Sequence, residues 1–129
     1  MSTISRRQAR RQALVLLYQW DLGGGAAELG AQYAGEIDPW ALALAEETAS
    51  RSAELDERIT NASEGWTADR LGVVERSALR VAIQELNRRE VPPEVAIDEA
   101  VAFAKRYASD DAGRLVNGIL GRIQREEAA

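Results

Sequence analysis

Apolar residues recur at helical spacing along most of the chain, and strict alternation is absent, so the pattern predicts helices and no strands. From Ser5 to about Leu22, Ala9, Ala13, Leu16, Leu17 and Trp20 form one stripe, with Arg7, Arg11, Leu14 and Tyr18 on its flank. Ser2, Thr3 or Ser5 can cap this first helix. Gly23-Gly24-Gly25 ends it, because three glycines make helix costly. A short amphipathic piece is expected over about Ala26 to Ala34. Asp38-Pro39 then opens a helix with a capping acid and a proline at the first position, carrying Trp40, Leu42, Leu44 and Ala45 to about Ser50.

Another helix is predicted over about Ala53 to Ala62, with Leu55 and Ile59 inward. Trp66 and Leu71 bracket a short helical turn. From Val73 to Arg89, Leu79, Ala82, Ile83 and Leu86 form a stripe, and Arg76, Arg80, Gln84 and Arg88 lie off it. Pro92-Pro93 stops that helix and opens the next. The segment from about Glu94 to Ala108 is apolar on most of its circumference, which marks it as the central helix. Ser109-Asp110-Asp111 caps a last helix with Leu115, Val116, Ile119, Leu120 and Ile123 inward. The expected fold is all-α, a compact bundle of about seven short helices, with residues 1–129 forming one domain.

Charge adds a polarity that the pattern does not. The chain carries a net charge of −5, yet residues 1–20 hold Arg6, Arg7, Arg10 and Arg11 and no acid. Residues 21–64 hold the densest run of acids, against only Arg51 and Arg58. A local basic cluster attracts a polyanion even on an acidic chain. The alternative is that these arginines merely solvate a helix face. All sixteen basic residues but Lys105 are arginine, so the arginine bias is chain-wide.

Catalytic chemistry finds few candidates. Cysteine and histidine are absent, which excludes a disulfide framework, a Cys/His zinc site and Cys–His or Ser–His nucleophile pairs. The glycine triplet has no following phosphate-binding lysine and is no P-loop. The acid pairs Glu46-Glu47, Asp98-Glu99, Asp110-Asp111 and Glu126-Glu127 point about 100° apart on a helix and do not converge on one atom; they read as solvated faces or caps. No enzyme reaction, cofactor or metal is implied. No apolar run reaches the roughly 20 residues of a membrane helix, and no secretory signal follows the first arginines, so a cytoplasmic protein is expected.

Four ordered blocks then carry a resemblance. They are SRRQARRQALVLLYQWDL (Ser5–Leu22), WTADRLGVVERSALRVAIQEL (Trp66–Leu86), VPPEVAIDEAVAFAKRY (Val91–Tyr107) and LVNGIL (Leu115–Leu120). Together they resemble the NusB family of transcription antitermination factors. Residues 23–65 match only in helical character. The resemblance implies two small helical subdomains, no catalysis, and pairing with NusE, a ribosomal protein of the small subunit. The pair is expected to bind single-stranded boxA RNA of nascent transcripts, mainly of ribosomal RNA operons. It would join NusA, NusG and RNA polymerase so that polymerase passes terminators. By the same resemblance, Arg6, Arg7 and Arg10 touch RNA, Tyr18 is the aromatic of the first helix, and Asp111, Arg114 and Leu115 lie near the RNA. Glu75, with Arg76 and Tyr18, belongs to the partner face.

The residues keep other readings open. Tyr18 can stack on a base or pack on a neighbouring helix. Glu75 can act as a capping-box acid reaching back to Gly72. Asp111 is a helix-capping acid whose charge opposes phosphate, and Leu115 can be core. Leu14 and Tyr18 could close a homodimer. Two further readings are an RNA-binding module of the kind appended to ribosomal RNA cytosine methyltransferases and a helical interaction module without RNA. A cofactor-binding region is absent from the 129 residues, which speaks against a whole methyltransferase. A duplex-DNA regulator lacks its basic recognition helix.

Overall fold

The computed structural model describes residues 4–128. Six α-helices and one 3-10 turn make up its regular structure, with no strand among the described residues. They are α1 (Arg6–Leu22), α2 (Pro39–Ser50), α3 (Ser52–Ala62), the turn Ala68–Arg70, α4 (Val73–Arg88), α5 (Pro93–Tyr107) and α6 (Asp110–Ala128). The expected all-α bundle is therefore what forms.

Local chemistry fixes the helix starts. Ser5 Oγ accepts from the Gln8 backbone N–H at 3.1 Å, and Gln8 Oε1 accepts from the Ser5 N–H at 2.8 Å, a reciprocal capping box. Of the three predicted caps, Ser2 and Thr3 lie outside the described residues. Asp38 Oδ1 accepts from the N–H groups of Trp40 and Ala41 at 2.9 and 3.1 Å, ahead of Pro39 at the first helical position. Ser109 caps α6 by accepting from Ala112 N–H at 3.0 Å, which places Asp110 and Asp111 in the first turn, where acids suit the helix dipole.

The piece expected over 26–34 is not a helix. It is a series of turns, because Gly24, Gly25 and Gly30 adopt positive φ. At Gly30 a side chain would also meet Ile37 Cδ1 at 2.6 Å. Gln12 ties this loop back to α1: it accepts from Asp38 N–H at 2.9 Å and donates to Glu36 O at 3.2 Å.

A continuous apolar core runs from Ala9 and Leu17 on α1 through Leu44, Leu55, Ile59, Leu79 and Ile83 to Val116 and Leu120 on α6. Its centre is α4, which packs against all five other helices. This corrects the expectation that residues 94–108 would be central. In α5, Tyr107, Lys105 and Arg106 are exposed, whereas residues 77–85 of α4 are buried without a break. Hydrophobic periodicity misplaces the centre because α4 buries polar residues as well. Arg10 and Glu85 form a bidentate pair with bonds of 2.5 to 2.8 Å, their side chains 4% and 2% exposed. Arg80 grips Asp56 with two bonds of 2.7 Å. Leu14, placed on the flank by the pattern, belongs to the core, and Leu115, placed inward, is 38% exposed.

Breaking one partner of a buried ion pair strands the other charge, at a cost of about 3–5 kcal/mol. Glu85→Ala should lower unfolding free energy by about that much in urea denaturation. The double replacement Arg10→Met with Glu85→Leu should recover most of the loss, since an apolar pair leaves no orphaned charge. A loss below about 1 kcal/mol for Glu85→Ala would show that water reaches the pair.

Candidate nucleic-acid interface

The RRQARR spacing of α1 builds two columns. Arg6 and Arg10 are four residues apart and share one side of the helix, as do Arg7 and Arg11. The Arg6/Arg10 column faces α2. The Arg6 guanidinium carbon lies 4.3 Å from the centroid of the Trp40 ring, and those of Arg10 and Arg88 lie 5.5 Å from it. Three cations around one indole ring are within cation–π range. Arg88 is itself held by Glu47 through bonds of 2.9 and 2.6 Å.

The Arg7/Arg11 column faces α5. Both arginines donate to one carboxylate, Glu99, with Arg7 Nε at 2.5 Å from Oε1 and Arg11 Nε at 3.2 Å from Oε2. Glu99 is buried, while the Arg7 side chain is 67% exposed. The expectation that Asp98-Glu99 is a solvated pair therefore fails for Glu99. A buried acid under two exposed guanidinium groups fixes their forks and leaves other N–H donors turned to solvent.

The predicted site residues separate on this geometry. Arg6, Arg7 and Arg11 are exposed. Arg10 is not: it is enclosed by Glu85 and Trp40, which leaves no open donor face for a phosphate and makes it a support for the column. Arg114 and Asp111 pair with each other on the exposed start of α6, beside Leu115. Lys105 lays its aliphatic stem across Gly113, which joins the end of α5 to this corner.

Tyr18 is half-buried and packs against the core. Glu75 folds its carboxylate back over Gly72, where a Cβ would come within 2.6 Å of Oε2, but it makes no capping hydrogen bond to that helix start. Arg76 is absorbed internally. It donates to Asp21 at 2.7 Å and to the carbonyls of Ala68 and Leu71 at 3.2 and 3.0 Å, so it holds α1, the 3-10 turn and α4 together. Leu14 cannot reach a second copy of the chain, because it is buried. Leu22, at the end of α1, is 62% exposed, an apolar surface near Tyr18 in sequence.

The residues missed by sequence reasoning are Trp40, Arg106 and Tyr107. The pattern names Trp40 only among the apolar residues of its helix. Tyr107 was read as part of an apolar circumference, although the adjoining Lys105 and Arg106 were signals of an exposed basic-aromatic helix end.

The model of the NusB family matches residues 7–125. This chain belongs to the NusB family. It is 36% identical over 131 residues to the transcription antitermination protein NusB of Solibacter usitatus, covering 95% of this chain and 90% of that protein. The NusB structure from T. maritima superposes with a TM-score of 0.82 at 33% identity, covering 97% of this chain and 94% of that one. A crystal structure of antitermination factors NusB and NusE in complex with dsRNA gives a TM-score of 0.80 at 31% identity, covering 94% and 96%. The two arginine columns thus stand on a NusB-family scaffold. No helix among the described residues is long and apolar enough to cross a membrane.

The Glu47–Arg88 pair gives this face a pH dependence. The Arg88 hydrogen bond holds the Glu47 carboxyl below the usual glutamate range, outweighing the opposing effect of burial. A depressed folded-state pKa contributes stability above the unfolded value and loses it as pH falls through the folded value. Glu47→Gln should therefore be less stable than the natural chain near neutral pH, and the gap should close with acidification below about pH 4.5. Parallel urea titrations across pH test this; a gap that persists in acid would assign the loss to packing.

Proposed function

We propose that this chain is a non-catalytic transcription antitermination factor of the cytoplasm, one domain over residues 1–129. With NusE it binds single-stranded boxA RNA of nascent ribosomal RNA transcripts, and through NusA, NusG and RNA polymerase it helps transcription pass terminators. The observation that carries this reading is the exposed Arg7/Arg11 column on buried Glu99, beside Arg6 at an α1 N-terminus whose first turn contains no acid. Guanidinium forks bind phosphate bidentately, and the positive end of a helix dipole adds to them.

Arg6, Arg7 and Arg11 then neutralise successive phosphates, and Arg114 does so at the start of α6 beside Leu115. Arg10 acts from beneath, holding Trp40 and α1 in register. NusE docks on the other end of α1 and the start of α4, around Tyr18, Leu22 and Glu75; Arg76 shapes that surface from inside. Each protein presents part of the RNA path, so two weak sites joined in one complex bind far more tightly than either alone.

Contact with about four phosphates of a single strand gives a log K against log salt slope near about −3. The double variant Arg6→Ala/Arg7→Ala should flatten that slope by about 1 to 1.5 in fluorescence titrations of labelled boxA RNA with NusE present. An unchanged slope would place the strand elsewhere. A duplex of the same sequence, run alongside, should bind more weakly; tighter duplex binding would replace the single-strand reading.

Asp111 opposes the strand by its own charge and by occupying Arg114. Asp111→Asn should raise RNA affinity roughly twofold or somewhat more. Unchanged or weakened binding in the same titration would count against RNA passing the start of α6.

A further inference from the structure

Between α1 and α5 lies a groove of about 370 Å³, lined by Arg11, Val15, Glu99, Phe103, Arg106 and Tyr107. Tyr107 forms its outer wall and is 56% exposed. Its orientation is fixed from below, because the buried Phe103 ring meets it at a centroid distance of 4.9 Å and a tilt of 49°. The Arg106 guanidinium carbon lies 5.6 Å from the Tyr107 centroid. Arg11 stands on the α1 side, anchored by Glu99.

We propose that this groove is a subsite for one unpaired base of the RNA strand, stacked on Tyr107, with the adjoining phosphate on Arg11. The assignment rests on the reading that this face binds single-stranded RNA and goes beyond it by naming where a base is held. Three features favour a nucleobase. The wall is an aromatic ring with the Arg106 guanidinium over it at 5.6 Å from the centroid, and both planar groups stack on bases without regard to sequence. The floor, of Val15 and Phe103, is apolar. The acid among the lining residues, Glu99, already engages Arg7 and Arg11 with its two oxygens, so its charge toward a phosphate is offset.

Phosphates on Arg6 and Arg7 lead along α1 to Arg11, where the base turns into the groove beside Arg106. Tyr107 is a contact residue in this scheme, and Glu99 is a positioning residue that acts through Arg7 and Arg11.

The test is a titration of labelled boxA RNA against the chain with NusE, using the natural sequence, Tyr107→Ala and Tyr107→Phe, on intact RNA and on a series carrying one abasic site at each position. Tyr107→Ala should weaken intact RNA about five- to a hundredfold without changing the salt slope, and Tyr107→Phe should restore binding. At one position the abasic loss should fail to add to that of Tyr107→Ala, because both remove the same stack. Losses that add at every position, or an undiminished affinity for Tyr107→Ala, would overturn the subsite while leaving the phosphate track in place. If Tyr107→Ala weakens NusE binding in the absence of RNA, the groove holds a protein side chain and the base assignment fails. If the natural chain with NusE shows no salt-dependent RNA binding, the parent reading fails and the subsite falls with it. Unchanged thermal unfolding of Tyr107→Ala keeps a folding defect out of the comparison.

Discussion

The bundle depends on pairing the arginines in and around its central helix with carboxylates from other helices. The central helix, α4, is enclosed by five others, yet it carries Arg80, Gln84 and Glu85 in the enclosed stretch. A charge in that position is tolerated only if an opposite charge arrives with good geometry. Glu85 finds Arg10 of α1, Arg80 finds Asp56 of α3, and Arg88 at the helix end finds Glu47 of α2. Each pair therefore fastens one helix of the first half of the chain onto α4. Apolar contacts supply the driving force for collapse. The ion pairs select which rotation of α1, α2 and α3 is compatible with it.

That selection decides the chemistry of the surface. Once Arg10 must face Glu85, the rotation of α1 is set, and every other arginine on it follows. Arg6, one turn earlier, lies over Trp40. Arg7 and Arg11, offset by about 100° per residue, fall over Glu99 on α5. The two columns are thus consequences of one buried pair. A substitution at Glu85 reaches the exposed face without touching it, through the freedom it gives to α1.

Much of the fold was legible because it rests on local chemistry. Ser5 with Gln8, Asp38 with Pro39, and Pro92-Pro93 mark boundaries by hydrogen bonding and backbone restriction within a few residues. The failures have a common cause. A periodicity reading assigns polar residues outward, but Arg10 and Glu85 are 75 residues apart and Arg7 and Glu99 are 92 apart. Nothing local reveals that such residues neutralise each other inside. The same blindness put Leu14 on a flank, moved the centre of the bundle from α4 to α5, and left Glu99 as a solvated acid. Over residues 26–34 the pattern runs through Gly30, whose positive φ does not suit a helix. The resemblance to the family supplied Arg6, Arg7 and Arg10 as one set, and only the geometry divides them into surface cations and a buried strut. Tyr107 escaped because helical apolarity and an exposed stacking surface use the same letters.

An acid under the arginine face works against an anionic ligand, and its cost can be weighed. Glu99 cancels one unit of charge on the face proposed to take the strand, an effect that salt screens at the surface. In return, two long side chains lose much of their freedom before any ligand arrives. Each arginine carries about 2 kcal/mol of rotamer entropy, part of which an unrestrained side chain would give up on binding. Fixing Arg7 and Arg11 in the folded state moves that loss from binding into folding, where core burial offsets it. The arrangement sacrifices long-range attraction for geometry. A chain with net charge −5 has little long-range attraction for a polyanion to lose, so holding fewer cations in a defined geometry serves it better than adding mobile ones.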